Sequence, residues 1–405
     1  MQDYLLDDIT VIDAATYLAG PGAATILADF GANVIKVEPP SGDGYRALVG
    51  AYPVPYHWLL TSRNKQSLAL DLTKDAGQRV LHRLVADADV FTTNFLPPQQ
   101  TKFGLTYEQL KAVNPRLIYA HISGYGTQGG EATRRAFDVT GWWARSGIME
   151  FIRDPGQTPL PMAPGMGDHS TATAFYSAIM TGLYRREKTG EGCFVSTSLV
   201  ANGVWANGMA LQGVIAGNNV GTYRQAKGWP NPFTNCYACS DGRYLVLAVI
   251  NTAREYPQLV EALDAQHLLA DERFATVADL LQHRPEFSAA LQQVFLNFTY
   301  EQASQRLEAA GVTYGPVQPM ADVIDDQQLR DNQIVIETQD QGEGYPLTIN
   351  SPINVLEAPK KPPQRAPEIG ADSVDVLQGF GFSEAEVQGL LRDGIVHQFK
   401  QDAAE

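Results

Sequence analysis

The chain has 405 residues, 44% hydrophobic and 19% charged, which is typical of a globular protein with more than one domain. Its formal net charge of −15 argues against nucleic acid and anionic membranes as partners, because both are bound by cationic surfaces. Three cysteines are too few for a disulfide framework, no run of about 18 apolar residues occurs, and the N-terminus lacks a basic leader. We therefore expect a cytoplasmic protein.

The first part of the chain alternates short apolar stretches with helical patterns. We expect strands at residues 9–14, 32–37, 89–93 and 117–121, and helices at residues 21–30, 76–86 and 107–113. Such alternation favours a parallel sheet with helical crossovers. Residues 1–215 are thus predicted to form a large, Rossmann-like α/β domain.

A long loop is predicted at residues 149–167, which are rich in proline and glycine. Loops of this length are often functional. A strongly apolar helix is expected to follow at residues 170–186, and a second helix at residues 199–215.

The rest of the chain is predicted to contain a second, smaller domain. Residues 216–235 are expected to be a linker, residues 236–330 an α+β domain, residues 331–368 a return linker, and residues 369–405 helices that rejoin the large domain. The α+β domain would hold a hairpin at residues 237–249, helices at 254–263, 285–295 and 300–310, and a strand at 314–319. Cys236 and Cys239 form a C-x-x-C pair without further ligands, and we interpret both as buried small hydrophobic residues rather than a metal site.

Asp168 is the most informative residue of the chain. It follows Gly165 and Gly167 where the predicted loop meets the apolar helix. An aspartate with an ordinary pKa of about 4 is ionised at neutral pH and can attack an activated acyl group without a general base. The alternative is that Asp168 caps the helix, and the spacing alone favours the cap.

The first strand-to-helix turn partly matches a dinucleotide-binding fingerprint, because Gly20 and Gly22 follow a strand and Glu38 ends the next one. The match is poor. Thr25 occupies the third glycine position, and Pro21 stands where an amide should face a phosphate. Pro21 is better explained as the first residue of a helix. A dehydrogenase remains an alternative.

Several segments together resemble the family III CoA-transferases, which include formyl-CoA:oxalate and carnitine CoA-transferases. These segments are 17–21 (YLAGP), 31–40 (GANVIKVEPP), 64–71 (NKQSLALD), 94–95 (NF), 123–126 (SGYG), 167–168 (GD), 188–192 (KTGEG) and 241–244 (DGRY). The resemblance implies a large α/β domain, a smaller α+β domain and an interlocked homodimer. It also implies an acyl-CoA and a small carboxylic acid as substrates, with no metal and no cofactor beyond coenzyme A as a substrate.

The resemblance makes Asp168 the covalent nucleophile, which would carry CoA as an aspartyl thioester. Glycine at positions 165 and 167 would let backbone amides approach the oxyanions that form. Asp138 matches an acidic position that orients or tunes the nucleophile, and its alternative role is a helix cap.

The resemblance also assigns the contacts to CoA. Positions that line the nucleotide and pantetheine path are Tyr17, Leu18, Leu70, Asn94 and Phe95, and those that hold phosphates are Lys102 and Arg135. Core packing is the alternative for Leu70 and Phe95, and a solvated surface charge is the alternative for Lys102. Arg134, beside Arg135, has no match and is interpreted as a surface charge.

Related acyl-CoA racemases of the same fold use a histidine in a Gly-His-Asp motif as a base. Here the triplet is Ala136-Phe137-Asp138, which argues against a racemase, and His169 adjoins Asp168 instead of facing it. The tetraglycine loop of the formyl-CoA:oxalate enzymes is also absent.

The sequence looks closer to the branch that acts on 2-hydroxy acids and aryl acids, although branches that use dicarboxylic acids stay open. Trp142 and Trp143 would line an acyl pocket or belong to the core. A noncatalytic CoA-ester-binding protein is the alternative from another class.

Overall fold

The computed structural model describes residues 4–48, 52, 54–154, 156–160, 162–218, 231–340 and 344–399. Unit 1 comprises Met1–Glu150, Leu160–Leu211 and Arg330–Glu405, and unit 2 comprises Phe151–Pro159 and Gln212–Leu329. Most of the predicted linker at residues 216–235 lies outside the described residues. The domain boundaries given above stay predictions.

The strands and helices are numbered in chain order. The strands are β1 Thr10–Asp13, β2 Asn33–Glu38, β3 Gln66–Leu70, β4 Val90–Thr93, β5 Ile118–Ser123, β6 Cys193–Ser198, β7 Cys236–Ala238, β8 Tyr244–Leu247, β9 Tyr314–Val317, β10 Val335–Glu337, β11 Leu347–Ile349 and β12 Val396–His397. The helices are α1 Ala19–Asp29, α2 Tyr56–Ser62, α3 Asp75–Ala86, α4 Pro97–Lys102, α5 Tyr107–Val113, α6 Ile148–Phe151, α7 Met166–Thr189, α8 Leu199–Ala206, α9 Gly208–Ile215, α10 Thr252–Ala262, α11 His267–Ala270, α12 Val277–Gln282, α13 Arg284–Phe295, α14 Tyr300–Ala309, α15 Met320–Asp325, α16 Gln327–Asp331, α17 Ser373–Gly379 and α18 Glu384–Arg392. A π-helical segment, Val139–Ala144, precedes α6.

Unit 1 is built on a sheet with the strand order β12-β3-β2-β1-β4-β5-β6. Every pair in it is parallel except β12 with β3, which is antiparallel. From β1 the chain builds the sheet outward in one direction through β2 and β3, and in the other through β4, β5 and β6. The strand order therefore reverses between β1 and β4, which is where doubly wound sheets open a crevice for ligands.

Helices cover both faces of this sheet. The neighbouring residues Val11 and Ile12 of β1 belong to different apolar clusters, as expected because successive side chains of a strand point to opposite faces. The cluster of Val11 includes side chains of α1 and α7, and that of Ile12 includes side chains of α3, α5, α17 and α18. The predicted α/β class with a mainly parallel sheet is confirmed.

Helix α1 begins earlier than the sequence suggested. Pro21 is its third residue instead of its first. Proline is tolerated there because the first four N–H groups of a helix have no intrahelical acceptor. Small residues let α1 approach α7 closely, since a Cβ atom on Gly22 would lie 3.1 Å from the Cβ of Ala172.

Two further helix predictions need correction. Helix α7 begins at Met166, so Asp168 lies in the first turn of the helix and not in the loop before it. The single helix predicted at residues 199–215 is two helices, because Asn207 interrupts it. The side-chain amide of Asn207 donates to the carbonyl of Ser146 at 3.1 Å.

Unit 2 contains an antiparallel sheet of β7, β8 and β9 and has its own apolar core. The predicted hairpin is present, and Gly242 in its turn has a φ of 79°, which favours glycine. Cys239 is buried, as expected, but Cys236 is exposed, so its interpretation as a buried residue was wrong. The exposed position follows from strand alternation in β7, where the intervening Tyr237 points into the core.

Candidate active site

A cavity of about 360 Å³ lies at the crevice between β1 and β4. The loops after β1, β4 and β5 and the start of α7 line it. Its size is in the range of small-molecule sites. The predicted site residues that the structure brings together here are Tyr17, Leu18, Asn94, Arg135 and Asp168.

Asp168 is the third residue of α7 and is half-buried. The cap of this helix is Gly165, whose φ of 90° is in the left-handed region and which has no side chain to accept the amides of the first turn. Asp168 is therefore not the helix cap, and its carboxylate is left to face the cavity. His169 follows at once but lines a different cavity of about 730 Å³ together with Arg63.

Asp138 is buried behind the start of α7. It precedes the π-helical segment Val139–Ala144, makes no cap bond to it, and accepts the N–H of Gly165 at 2.6 Å. The alternative in which Asp138 caps its own helix is therefore wrong. Because π-helical turns are rare and often found at functional sites, the segment is a structural marker of this site.

Trp142, in the same π-helical segment, packs against Gly167. A Cβ atom on Gly167 would lie 2.6 Å from Cγ of Trp142, so glycine is needed there for packing. Glycine at 165 is needed for its left-handed backbone. Trp142 and Trp143 form an edge-to-face pair with centroids 4.7 Å apart, and neither lines the cavity that contains Asp168.

The environment of Asp168 changes its protonation. Burial raises its pKa to about 7, and the nearby charge of Asp138 adds to the shift. Carboxyl and carboxylate forms are therefore both populated at neutral pH. The expectation of an ordinary, fully ionised aspartate was wrong, because the sequence did not reveal that the side chain is largely buried and lies near Asp138.

Asn94 lines the cavity, but its amide is used within the protein. Its Oδ1 accepts the N–H of Thr16 at 3.0 Å, and its Nδ2 donates to the carbonyl of Thr16 at 3.0 Å. Asn94 thus joins the loop after β4 to the loop after β1. This bridging role was not anticipated from the sequence.

Three predicted CoA contacts lie away from this cavity. Leu70 is 1% exposed in the apolar cluster of Ile12, and Phe95 packs against the same cluster. Lys102 is exposed at the end of α4, with its Nζ 5.6 Å from the ring centroid of Phe103. Their contacts to CoA stay predictions.

Sequence reasoning missed part of the cavity lining. Arg134 and Phe137 line it beside Arg135, although Arg134 also pairs with Glu131. The ring of Phe137 is 56% exposed and lies edge-on to that of Tyr17, with centroids 5.5 Å apart. The signal available was their position in the chain, since Arg134 adjoins Arg135 and Phe137 adjoins Asp138, both already singled out.

Two features are absent from the described residues. None of the helices they form combines the length and apolar character that crossing a bilayer requires. No group of three or more histidine, cysteine, aspartate or glutamate side chains within the described ranges is arranged to hold a metal ion.

Comparison with known proteins gives consistent results. The chain is 28% identical over 400 residues to (R)-2-hydroxy-4-methylpentanoate CoA-transferase of Clostridioides difficile, covering 97% of this chain and 99% of that one. It is 28% identical over 398 residues to cinnamoyl-CoA:phenyllactate CoA-transferase of Clostridium sporogenes, covering 96% of each. A crystal structure of a CAIB/BAIF family protein from Brucella suis superposes with a TM-score of 0.82 at 29% identity, covering 94% of this chain and all of that one.

Residues 6–373 match the model of CoA-transferase family III. The match includes the three loops at the crevice, the π-helical segment and the whole of α7. The sequence resemblance is thereby confirmed, including the likeness to enzymes acting on 2-hydroxy acids and aryl acids. The chain belongs to CoA-transferase family III and is an enzyme that transfers coenzyme A.

Proposed function

We propose that this enzyme moves CoA from an acyl-CoA donor to a small carboxylic acid through an aspartyl-CoA thioester on Asp168. One observation carries the proposal. A half-buried carboxylate at the start of α7 faces a cavity at the crevice of a doubly wound sheet. Arg134 and Arg135 line the same cavity and would offset the negative charge of CoA phosphates.

The covalent steps balance without a further reactant. The Asp168 carboxylate attacks the thioester carbonyl, the C–S bond breaks, and CoA leaves as a thiolate. The product on the enzyme is a mixed anhydride. The thiolate then attacks the aspartyl carbonyl of Asp168 and the donor acid leaves as a carboxylate. An acceptor carboxylate repeats these steps in reverse, so the energy of the thioester is retained.

The start of α7 would stabilise the oxyanions of these steps. The N–H groups of Met166, Gly167 and Asp168 lie in the first turn, where no intrahelical acceptor exists. These N–H groups carry the partial positive charge of the helix N-terminus, which stabilises a nearby oxyanion. The N–H of Gly165 is already taken by Asp138, which thereby fixes the direction of the turn.

The acid substrate is proposed from the relatives. Their names point to a 2-hydroxy or aryl acid, and other relatives act on dicarboxylic acids such as glutarate and mesaconate. The two exposed rings in the cavity, Tyr17 and Phe137, favour an acid with an apolar or aryl group. A homodimer and a cytoplasmic location are proposed from the resemblance and the composition.

Chemical trapping tests the proposal. The protein is incubated with an acyl-CoA, treated with hydroxylamine or borohydride, and digested for peptide mass spectrometry. We expect modification at Asp168 that depends on acyl-CoA, and loss of CoA transfer in Asp168→Ala. Asp393→Ala, at an exposed aspartate after α18, serves as the control and should react like the wild type.

The alternatives predict different results. A noncatalytic CoA-ester-binding protein would bind the acyl-CoA and show no modification. Full transfer activity in Asp168→Ala would refute the assignment of the nucleophile.

A further inference from the structure

The loop after β1 is held at three consecutive residues by side chains from three different parts of unit 1. Lys36 of β2 donates from Nζ to the carbonyl of Ala15. Asn94 binds both the N–H and the carbonyl of Thr16. Asp43 accepts the N–H of Tyr17 at 3.3 Å. The path of the loop is thus determined by these side chains and not by a repeating backbone pattern.

Tyr17 has an unfavourable backbone conformation. Its φ is 63°, in the left-handed region that residues other than glycine, asparagine and aspartate seldom adopt. Such a conformation costs free energy and persists only where the surroundings impose it. The three contacts described above act on Tyr17 and on the two residues before it.

Asp43 and Lys36 form a fully buried ion pair beneath this loop. Their charged atoms are 3.1 Å apart, and both side chains are 0% exposed. The Oδ1 atom of Asp43 also accepts the N–H of Tyr45 at 2.9 Å, so one carboxylate holds the amides of two tyrosines. Since burying two charges is costly, an arrangement that serves two backbone amides near a ligand cavity indicates a positioning role.

These contacts bear on the position of the Tyr17 ring. It is 39% exposed and lines the cavity that contains Asp168. The ring of Phe137 packs edge-on against it, with centroids 5.5 Å apart, and its hydroxyl lies near Gly44, where a Cβ atom would come within 3.2 Å of the oxygen. The ring therefore has close neighbours at two points while one part faces the cavity.

We propose that Asp43, paired with Lys36, is a positioning residue for acyl-CoA binding, which keeps Tyr17 in its left-handed conformation and its ring at the cavity wall. The inference rests on the proposed function for the identity of the ligand. Asp43 touches neither the ligand nor Asp168 in this scheme. Its loss should therefore weaken binding more than it slows the chemical step.

The first test compares Asp43→Asn with Asp89→Asn. Asp89 is a matched control because it also accepts a backbone amide, that of Thr10 at 2.8 Å, and also pairs with a basic side chain, Arg186 at 2.8 Å. It acts at the opposite end of β1. We expect Asp43→Asn to raise the KM for acyl-CoA by about tenfold or more with kcat changed much less. Asp89→Asn should lower the melting temperature and leave KM within about twofold. Equal KM values in the two variants would overturn the proposal.

If Asp43→Asn does not fold, a second pair of variants tests whether the left-handed conformation of Tyr17 supports acyl-CoA binding. Tyr17→Asn and Tyr17→Val both remove the ring, but asparagine tolerates a left-handed backbone and valine does not. We expect the valine variant to show a KM several-fold higher than the asparagine variant. The same KM in both would mean that the left-handed conformation has no part in binding.

Binding measured by calorimetry separates this inference from the proposed function. If the wild type binds acyl-CoA but forms no aspartyl thioester, the proposed chemistry fails and the dissociation constants of the Tyr17 and Asp43 variants still decide the positioning role. If the thioester forms and Asp43→Asn binds acyl-CoA as tightly as the wild type, only the positioning role fails.

Discussion

Two opposing influences act on the Asp168 carboxyl group. The N–H groups at the start of α7 favour the carboxylate, whereas burial and the charge of Asp138 favour the protonated form. Burial prevails, and the pKa of Asp168 is raised to about 7. The nucleophile is thus held near the pH at which the ionised fraction changes most.

The pH dependence of thioester formation follows from this pKa. Because only the carboxylate attacks, the single-turnover rate of thioester formation should rise with pH and level off above a midpoint near 7. Rapid-mixing experiments from about pH 5 to about pH 9 measure it. A rate that is already constant above pH 5 would show that Asp168 keeps an ordinary pKa of about 4 in the enzyme.

Asp138→Asn is the matched variant for the pH profile. Asparagine still offers an oxygen to the N–H of Gly165, but it removes the negative charge that raises the pKa of Asp168. The midpoint should therefore move to lower pH. A midpoint that stays in place would mean that burial alone sets the pKa.

Among the elements, the π-helical segment and α7 act together. Asp138 fixes the backbone of α7 through Gly165, and Trp142 fixes its first turn through Gly167. The direction of the Asp168 side chain thus depends on contacts between residues distant in sequence. Small changes at this contact should affect stability and chemistry together.

Gly167→Ala tests this contact. The added Cβ would lie 2.6 Å from Cγ of Trp142, so one of the two elements must move. We expect the free energy of unfolding to fall by about 1–3 kcal/mol. Thioester formation should also slow. Urea denaturation and single-turnover kinetics measure the two effects.

Gly389→Ala in α18 is the control, because the nearest atom to the added Cβ is Nη2 of Arg392 at 3.8 Å. An alanine inside a helix should raise stability by up to about 1 kcal/mol. Equal unfolding midpoints for the two variants would contradict the role of Trp142.

The elements that could be predicted are those whose signal is local. Strands β1, β2, β4 and β5 are apolar runs between helices, and the predicted positions agree within about two residues. Strand β6, Cys193–Ser198, was missed because half of it is polar and its state depends on pairing with β5. Strand β3 was missed because its pattern is short and its position depends on β2.

The site residues likewise divide into those that the sequence could identify and those whose role depends on contacts distant in sequence. Asp168, Arg135 and Tyr17 were identified through the resemblance and do meet in one cavity. The hydrogen bond from the N–H of Tyr17 to Asp43 joins residues 26 positions apart, and no local pattern in the sequence predicts it. The raised pKa of Asp168 likewise depends on enclosure by segments that the sequence does not place together.

On the scale of the whole molecule, unit 2 has a core that is complete in itself. Its buried apolar cluster runs from Phe233 to Val312, and its sheet pairs only β7, β8 and β9 among the described residues. These contacts lie within one continuous stretch, residues 231–329.

We therefore expect residues 231–329, expressed alone, to fold and unfold cooperatively. Thermal denaturation followed by circular dichroism, with dispersion of amide resonances as a second measure, would check this. Phe287→Ala, at a fully buried position, should cost about 3–5 kcal/mol and abolish the transition. A fragment with no cooperative transition would show that the core of unit 2 does not suffice.

The backbone groups at the outer edge of β3 are hydrogen-bonded by segments that are synthesised much later. The amide of Ala69 donates to the hydroxyl of Ser373, 304 residues further on, and β12 pairs with β3 beyond that point. A ribosome adding about 5–20 residues per second needs about 15–60 seconds to reach them. Throughout that interval the nascent chain presents unpaired backbone groups at a strand edge, which is a known route to aggregation. The yield of active enzyme in a cell should therefore depend on translation speed and on chaperones that shield the emerging chain.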